Sequence, residues 1–193
     1  MPMKFDKVIS EQYGIMKGNG NLIFIKTGRG GTIYGYQNKY CRIASEFRDD
    51  FGCTVIVSAN PENSECDLVT ELNEILSSEG DFTEIYFIGV SNGALVGAQQ
   101  GYRCKKIKAM LLVNGPLMIN WHKARKGLEE FDGEKVQLVY GSLDPSYPYI
   151  ELLDLIESEI CDYVVLEGID HNFTDNMEVF ISNIWIFLKL CLS

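Results

Sequence analysis

The sequence predicts an α/β fold: a three-layer α/β/α sandwich around a mostly parallel, doubly wound sheet of six to seven strands. Two observations lead to this expectation. Short apolar runs rich in Val, Ile, Leu and aromatic residues alternate with longer segments of helical periodicity along the 193 residues. The apolar runs are nearly continuous, which is typical of strands covered on both faces. Strands that alternate with helices form a parallel sheet with helices on both sides.

The periodicity predicts six strands, five helices and an N-terminal hairpin. The strands are 21–26, 53–58, 84–89, 107–113, 135–141 and 162–168, and the helices are 37–50, 65–79, 92–102, 147–158 and 174–190. Two helix starts carry capping residues: Ser64 precedes the helix at 65, and Thr174 is followed by acidic residues in the first turn. Residues 8–21, VISEQYGIMKGNGN, predict a strand and hairpin that extend one edge of the sheet.

Composition predicts one soluble globular domain over residues 1–193. The hydrophobic fraction is 46% and the charged fraction 23%, which are ordinary values for such a domain. A chain of this length buries about 70% of its unfolded surface without disulfides. The net charge is −10, and the longest basic run is Arg103, Lys105 and Lys106. This balance argues against nucleic acid and against an anionic membrane surface as partners, because both attract basic proteins.

The six cysteines predict reduced thiols in a cytoplasmic protein. They stand at positions 41, 53, 66, 104, 161 and 191, with no C-x-x-C and no zinc-finger spacing, so no metal site is expected. The first fourteen residues lack the apolar core of a signal peptide. The apolar run at 179–193 is interrupted by Asn183 and Lys189 and is shorter than the roughly 20 residues of a spanning helix. We therefore expect a buried helix there.

Ser91 is the candidate nucleophile. It lies in Gly89-Val90-Ser91-Asn92-Gly93, a G-x-S-x-G pattern between a predicted strand and a predicted helix. At such a junction a sharp turn strains the serine backbone and projects its Oγ above the sheet, and glycines on both sides avoid collisions. The Asn92 N–H at the helix N-terminus would face an anionic oxygen. The alternative is a glycine turn whose serine only caps the helix.

A base and an acid for this serine follow two later strands. His171 comes after the last predicted strand and Asp144 after the one before it. The carboxyl ends of parallel strands share one edge, so the three side chains should converge. Each residue also has a non-catalytic interpretation. His171 by itself is typical of a solvated loop, and Asp144 before Pro145 is typical of a common turn. Asp170 and Asp175 compete for the acid role but are too close in sequence to orient His171. His122 follows no strand, and we interpret it as a surface or pocket-lining residue.

These segments resemble the α/β-hydrolase superfamily from position 21 to the end. The matching pieces are GVSNGA, YGSLDPSYP and EGIDHNF, in the superfamily's order, and KTGRGGTIYG stands where the oxyanion loop is expected. The resemblance implies that Ser91 is the nucleophile and that Asp144 orients His171. It also implies an oxyanion hole made by the Asn92 N–H and an N–H near Arg29. The superfamily often has His-Gly in that loop, whereas this chain has Thr27-Gly28, so either Arg29 or Gly30 could supply the second donor.

The resemblance further implies a small serine hydrolase without a lid. Larger relatives insert a lid where this chain has only residues 115–134, a minimal cap-region connection that holds about one helix. We expect Gly30, Met118 and Trp121 to contact a small acyl substrate, although the last two would also suit ordinary packing. We favour a small soluble ester or thioester as the substrate.

No cofactor is expected. The glycine loop fails the dinucleotide pattern at Ile33 and the phosphate-loop pattern at Tyr36. An acyltransferase with the same triad and a non-catalytic binding protein of this fold remain as alternatives.

Overall fold

An eight-stranded sheet forms the centre of the protein. The computed structural model describes residues 4–63 and 66–192. The strands are β1 (Lys7–Ile9), β2 (Tyr13–Met16), β3 (Leu22–Lys26), β4 (Thr54–Ser58), β5 (Ile85–Val90), β6 (Ile107–Val113), β7 (Lys135–Gly141) and β8 (Cys161–Leu166). Their order in the sheet is β1-β2-β4-β3-β5-β6-β7-β8. The six strands from β3 to β8 are parallel to one another. Strand β2 is antiparallel to its neighbour β4, and β1 is antiparallel to β2.

The predicted sheet is confirmed in type, but in the described part of the chain it has eight strands instead of six to seven. The hairpin expected near the N-terminus contributes two of them, because its second strand pairs with β4 and its first pairs with the second. Ser10 and Glu11 form the tight turn between these strands with positive φ angles of 48° and 56°.

Five α-helices among the described residues cover the two faces of the sheet and complete the three layers. They are α1 (Lys39–Phe51), α2 (Leu68–Glu79), α3 (Asn92–Gln100), α4 (Trp121–Glu129) and α5 (Met177–Leu192). Side chains from α1 and α5 pack in the core on one face, and those from α2, α3 and α4 pack in the core on the other. Strand residues alternate between the two cores: Ile23 and Ile25 face α1, whereas Leu22 and Phe24 face α2.

Three helix predictions differ from the structure. Residues 147–155 form a 3-10 helix instead of an α-helix, with Pro148 in its first turn, where the ring supplies no N–H. Helix α2 begins at Leu68, where the Asp67 carboxylate accepts the Thr70 N–H at 2.9 Å; Ser64, the predicted cap, lies outside the described residues. Helix α5 begins at Met177 because Asp175, with φ 56°, is not helical.

The C-terminal apolar run is the buried helix that the sequence predicts. Phe180, Ile184 and Phe187 on α5 are fully buried against the sheet. Within residues 4–63 and 66–192, every helix is too short or too polar to cross a membrane.

Candidate active site

Ser91 occupies a strained turn between β5 and α3. Its φ of 54° and ψ of −118° are unusual for a residue with a side chain. The turn leaves no room beside it, because a Cβ on Gly93 would collide with the Lys26 carbonyl and one on Gly89 with the backbone of Ala94. The Ser91 N–H donates to the Val113 carbonyl at 2.8 Å and fixes the turn to β6. This backbone is the elbow that the glycine spacing predicts.

Asp144 and His171 lie beside Ser91 in a continuous chain of hydrogen bonds. Asp144 follows β7, and His171 lies in the loop after β8. The His171 Nδ1–H donates to Asp144 Oδ2 at 2.5 Å, and His171 Nε2 lies 3.0 Å from Ser91 Oγ. With the proton on Nδ1, Nε2 is free to accept the serine hydroxyl proton. The three side chains therefore have the geometry that a nucleophile, a base and an orienting acid require.

The acid is held more tightly than the base. The Asp144 side chain is fully buried, and its second oxygen accepts the Ser146 N–H at 2.6 Å. The His171 side chain is 36% exposed. The hydrogen bond to Asp144 raises the pKa of His171, against burial and the Lys39 charge, which lower it. The arrangement thus stabilises an imidazolium that forms when His171 takes a proton.

The competing residues do other things. Asp170 accepts the N–H groups of Asn172 and Thr174 through Oδ1 at 3.1 and 2.8 Å, so it shapes the histidine loop. Asp175 is exposed in the turn before α5, and His122 is exposed on α4.

The loop after β3 lies against Ser91 and provides backbone N–H groups. A Cβ on Gly28 would lie 3.1 Å from the Ser91 Cβ. The Gly30 N–H already donates to the Asn60 carbonyl at 2.7 Å. The Arg29 N–H makes no backbone hydrogen bond to the described part of the chain. Its guanidinium group turns away to the Glu62 carbonyl at 3.1 Å. Of the two predicted donors, Arg29 is therefore the one whose N–H is available to a ligand.

Solved structures with the same architecture are known, although no protein-family model matches the sequence and a search of curated proteins finds no significant match. Est1E from Butyrivibrio proteoclasticus superposes with a TM-score of 0.74 over 93% of each chain, at 13% identity. Mouse alpha/beta hydrolase domain-containing protein 10 superposes with a TM-score of 0.67 over 95% of this chain and 97% of its own, at 15% identity. The chain has the α/β-hydrolase fold.

A third structure of this fold is the Pyrococcus furiosus esterase Pf2001, with a TM-score of 0.67 and 15% identity. The match covers 94% of this chain and 87% of the esterase. At these identities the similarity establishes the α/β-hydrolase fold, and the site has to be argued from its own geometry.

Asn114 supports the site and is absent from the sequence predictions. It follows β6 with φ 49° and is completely buried. Its Nδ2 donates to the carbonyls of His171 and Asp170 at 3.1 and 3.4 Å, and its Oδ1 accepts the Gly141 N–H at 2.9 Å. One side chain therefore joins the ends of β6 and β7 to the histidine loop. The signal in the sequence is an Asn-Gly pair directly after a strand, which by itself predicts only a turn.

Asn60 has a similar function on the other side of Ser91. It is buried, and its Nδ2 donates to the Thr27 carbonyl at 3.1 Å and to Asn92 Oδ1 at 2.9 Å. This amide holds the glycine loop at the N-terminus of α3. The two backbone segments that would face an oxyanion are thus positioned by one side chain.

Open space adjoins this end of the hydrolase fold. A cleft of about 300 Å³ is bounded by Arg29, Asn60, Asn92, Leu95 and Gln99, among others. Met118 and Trp121 instead line a cavity of only about 10 Å³ between the start of α4 and the 3-10 helix 147–155. Their predicted contact with substrate, like that of the exposed Gly30, remains a prediction.

Proposed function

We propose that the protein is a serine hydrolase that cleaves a small ester or thioester through Ser91, His171 and Asp144. The observation that carries the proposal is the hydrogen-bonded sequence from Asp144 Oδ2 through the His171 ring to Ser91 Oγ, with distances of 2.5 and 3.0 Å. Since Ser91 is also held in a strained turn at a helix N-terminus, its hydroxyl stands where backbone N–H groups would stabilise a developing negative charge.

The reaction would proceed by acyl transfer. His171 Nε2 takes the Ser91 proton while Oγ attacks the acyl carbonyl. The N–H groups of Asn92 and Arg29 donate to the resulting oxyanion, and one such donor contributes about 3–4 kcal/mol of transition-state stabilisation. The imidazolium, paired with Asp144, protonates the leaving alcohol or thiol. His171 then takes a proton from a water molecule as the water oxygen attacks the acyl carbonyl, and it returns this proton to Ser91 Oγ as the carboxylic acid leaves.

A small substrate is supported by the connection at residues 115–134. Nine of its twenty residues form α4, which packs on α3 and belongs to the helical layer of the sandwich. No large lid is formed by the described residues at this position. The cleft of about 300 Å³ beside Arg29 and Asn92 is at the lower end of ligand-pocket volumes. The superposed structures include one that is named an esterase, Pf2001. We therefore place a carboxylic ester ahead of a triglyceride, an amide or a peptide.

We also propose that the protein is a single domain and that its location is reducing and cytoplasmic. Cys41 and Cys53 are buried in the core, and burial raises the pKa of both thiols, which keeps them protonated and unreactive.

The decisive experiment is labelling with a fluorophosphonate probe, which traps only an activated serine. The wild type should label and should hydrolyse p-nitrophenyl acetate, whereas Ser91→Ala should do neither. Ser77→Ala, at an exposed serine on α2, is the matched control and should behave as the wild type. Comparing acetate, butyrate and octanoate esters then bounds the acyl length. A folded wild type that does not label would exclude both the hydrolase and an acyltransferase, and would favour a binding protein.

A further inference from the structure

Lys39 is a half-buried cation held between aromatic rings. It is the first residue of α1, and its Nζ lies 4.9 Å from the centre of the Phe180 ring and 5.0 Å from that of Tyr40. Both rings are buried. Ring faces attract an ammonium group and restrict where it can point, without neutralising its charge.

This ammonium has no carboxylate partner among the described residues. Two acids on the helices that carry Lys39 and Phe180 have another partner: Arg42 binds Glu46 of α1 and Glu178 of α5, each at 2.7 Å. The first turn of α1 contains no acidic residue. An unpaired, partly desolvated charge is costly, and burial accordingly lowers the pKa of Lys39. In a chain with a net charge of −10, a half-buried lysine without a counterion is a feature that a ligand would explain.

Lys39 lies on the His171 side of the candidate active site. The Phe180 ring that it contacts packs 5.1 Å from Phe173, two residues after His171. Its charge also acts on the His171 ring. His171 gives its proton to the leaving group, so the leaving alcohol or thiol must lie on this side of Ser91. The proposed oxyanion donors, Asn92 and Arg29, instead line the cleft of about 300 Å³, whose lining includes neither Lys39 nor His171.

We propose that Lys39 binds an anionic substituent, a carboxylate or a phosphate, on the alcohol or thiol part of the substrate. This inference rests on the proposed function, since it assigns a specificity to the same site. Lys39 then completes an ion pair only when substrate is bound, and the substrate class narrows to small esters or thioesters whose leaving group is an anion.

The test compares matched substrates and variants. 4-Acetoxybenzoate carries the charge on its leaving group, and 4-acetoxybenzamide is its neutral counterpart. Lys39→Met removes the charge but keeps an apolar stem for the rings, and Lys39→Arg keeps the charge. Lys123→Met, at an exposed lysine on α4, is the control. The ratio of variant to wild-type kcat/KM for each ester cancels the intrinsic reactivity of the two leaving groups.

At a pH well above the midpoint of His171, where the effect of Lys39 on the His171 pKa does not change the rate, we expect Lys39→Met to lower kcat/KM about tenfold for the benzoate and hardly at all for the benzamide, since a charge-assisted contact of this kind contributes about 1.4 kcal/mol. Lys39→Arg and Lys123→Met should keep the wild-type ratio of kcat/KM for the benzoate to kcat/KM for the benzamide. A third ester, 4-acetoxyphenyl phosphate, carries a phosphate on its leaving group. The anion that Lys39 prefers, carboxylate or phosphate, is the one for which Lys39→Met causes the larger loss in kcat/KM. Equal losses for the charged and neutral esters, or no loss for either, would overturn the inference.

A further arm tests the side of the site. 4-Nitrophenyl hemisuccinate carries its carboxylate on the acyl part, and we expect its rate relative to 4-nitrophenyl butyrate to be insensitive to Lys39→Met. If Lys39→Met lowered the rate for the hemisuccinate and not for the benzoate, the assignment of Lys39 to the leaving group would be wrong. If the wild type turns over neither neutral ester and does not label, the proposed function itself fails, and this inference fails with it.

Discussion

Two polar clusters lie at the carboxyl ends of the strands, and they differ in whether any atom is left free. In the first, Lys26 Nζ at the end of β3 donates to Glu71 Oε1 at 3.0 Å, Ser58 Oγ at 2.9 Å and the Ala59 carbonyl at 2.8 Å. Lys26 and Glu71 are buried, with exposures of 2% and 7%. In the second, Asp144 is buried but its partner His171 is partly exposed, and Ser91 lies at the open end.

This difference separates a buried ion pair from the candidate active site. All three protons of the Lys26 ammonium are used, so this group has no donor to offer a ligand. The Asp144–His171 pair has one further partner at its open end, the Ser91 hydroxyl, which is held in a strained turn. Breaking the first cluster should therefore affect folding, whereas breaking the second should affect rate.

The largest expected effect is that of Asp144→Asn on rate. The carboxylate that accepts the His171 Nδ1–H is replaced by an amide, so the histidine ring adopts the wrong tautomer. The kcat for p-nitrophenyl acetate should therefore fall about 10⁴-fold. Because the Ser146 N–H still finds an oxygen to bind, the free energy of unfolding should change by only about 1 kcal/mol. Steady-state kinetics and urea unfolding of the same preparation measure both. Retained activity would transfer the acid role to Asp170 or Asp175.

Lys26→Met should have the opposite profile. Removing one partner of a buried ion pair leaves an uncompensated carboxylate at Glu71, which costs about 3–5 kcal/mol of stability. The double variant Lys26→Met with Glu71→Leu should recover much of that loss, since neither charge then remains buried. Folded protein of either variant should keep fluorophosphonate labelling. A single variant as stable as the wild type would show that the pair is not structural.

The smallest effect is a shift in the pH dependence. Asp144 raises the pKa of His171 above its ordinary 6.5, and His171 must be neutral to accept the Ser91 proton. Activity should therefore be lost as pH falls through a midpoint above 6.5, and the residual activity of Asp144→Asn should have a lower midpoint. Asp170→Asn, which removes a weaker charge effect, should shift it less. The readout is kcat/KM for a neutral ester against pH, and a wild-type midpoint below 6.5 would contradict the pairing.

Much of the fold was predictable because it depends on local patterns. Runs such as 107–113 and 135–141 show as strands because both of their faces are buried, and their bounds agree with the structure. The type of helix at 147–155 was not predictable, because α and 3-10 helices share nearly the same apolar spacing and differ mainly in hydrogen bonding. The hairpin's partner was also undetermined, because alternation shows which face of a strand is buried and not which strand lies beside it.

For the candidate site, the sequence by itself determined the residue types and the edge of the sheet where they meet. Ser91, Asp144 and His171 each follow a strand, and parallel strands end on one side, so their convergence follows from chain order. The tertiary structure alone decided which loop groups remain available. That Gly30 is engaged by Asn60, that Asn114 holds the histidine loop, and that Lys39 lacks a carboxylate all depend on contacts between distant segments. Such contacts arise from the packing of helices on the sheet, which no local pattern encodes.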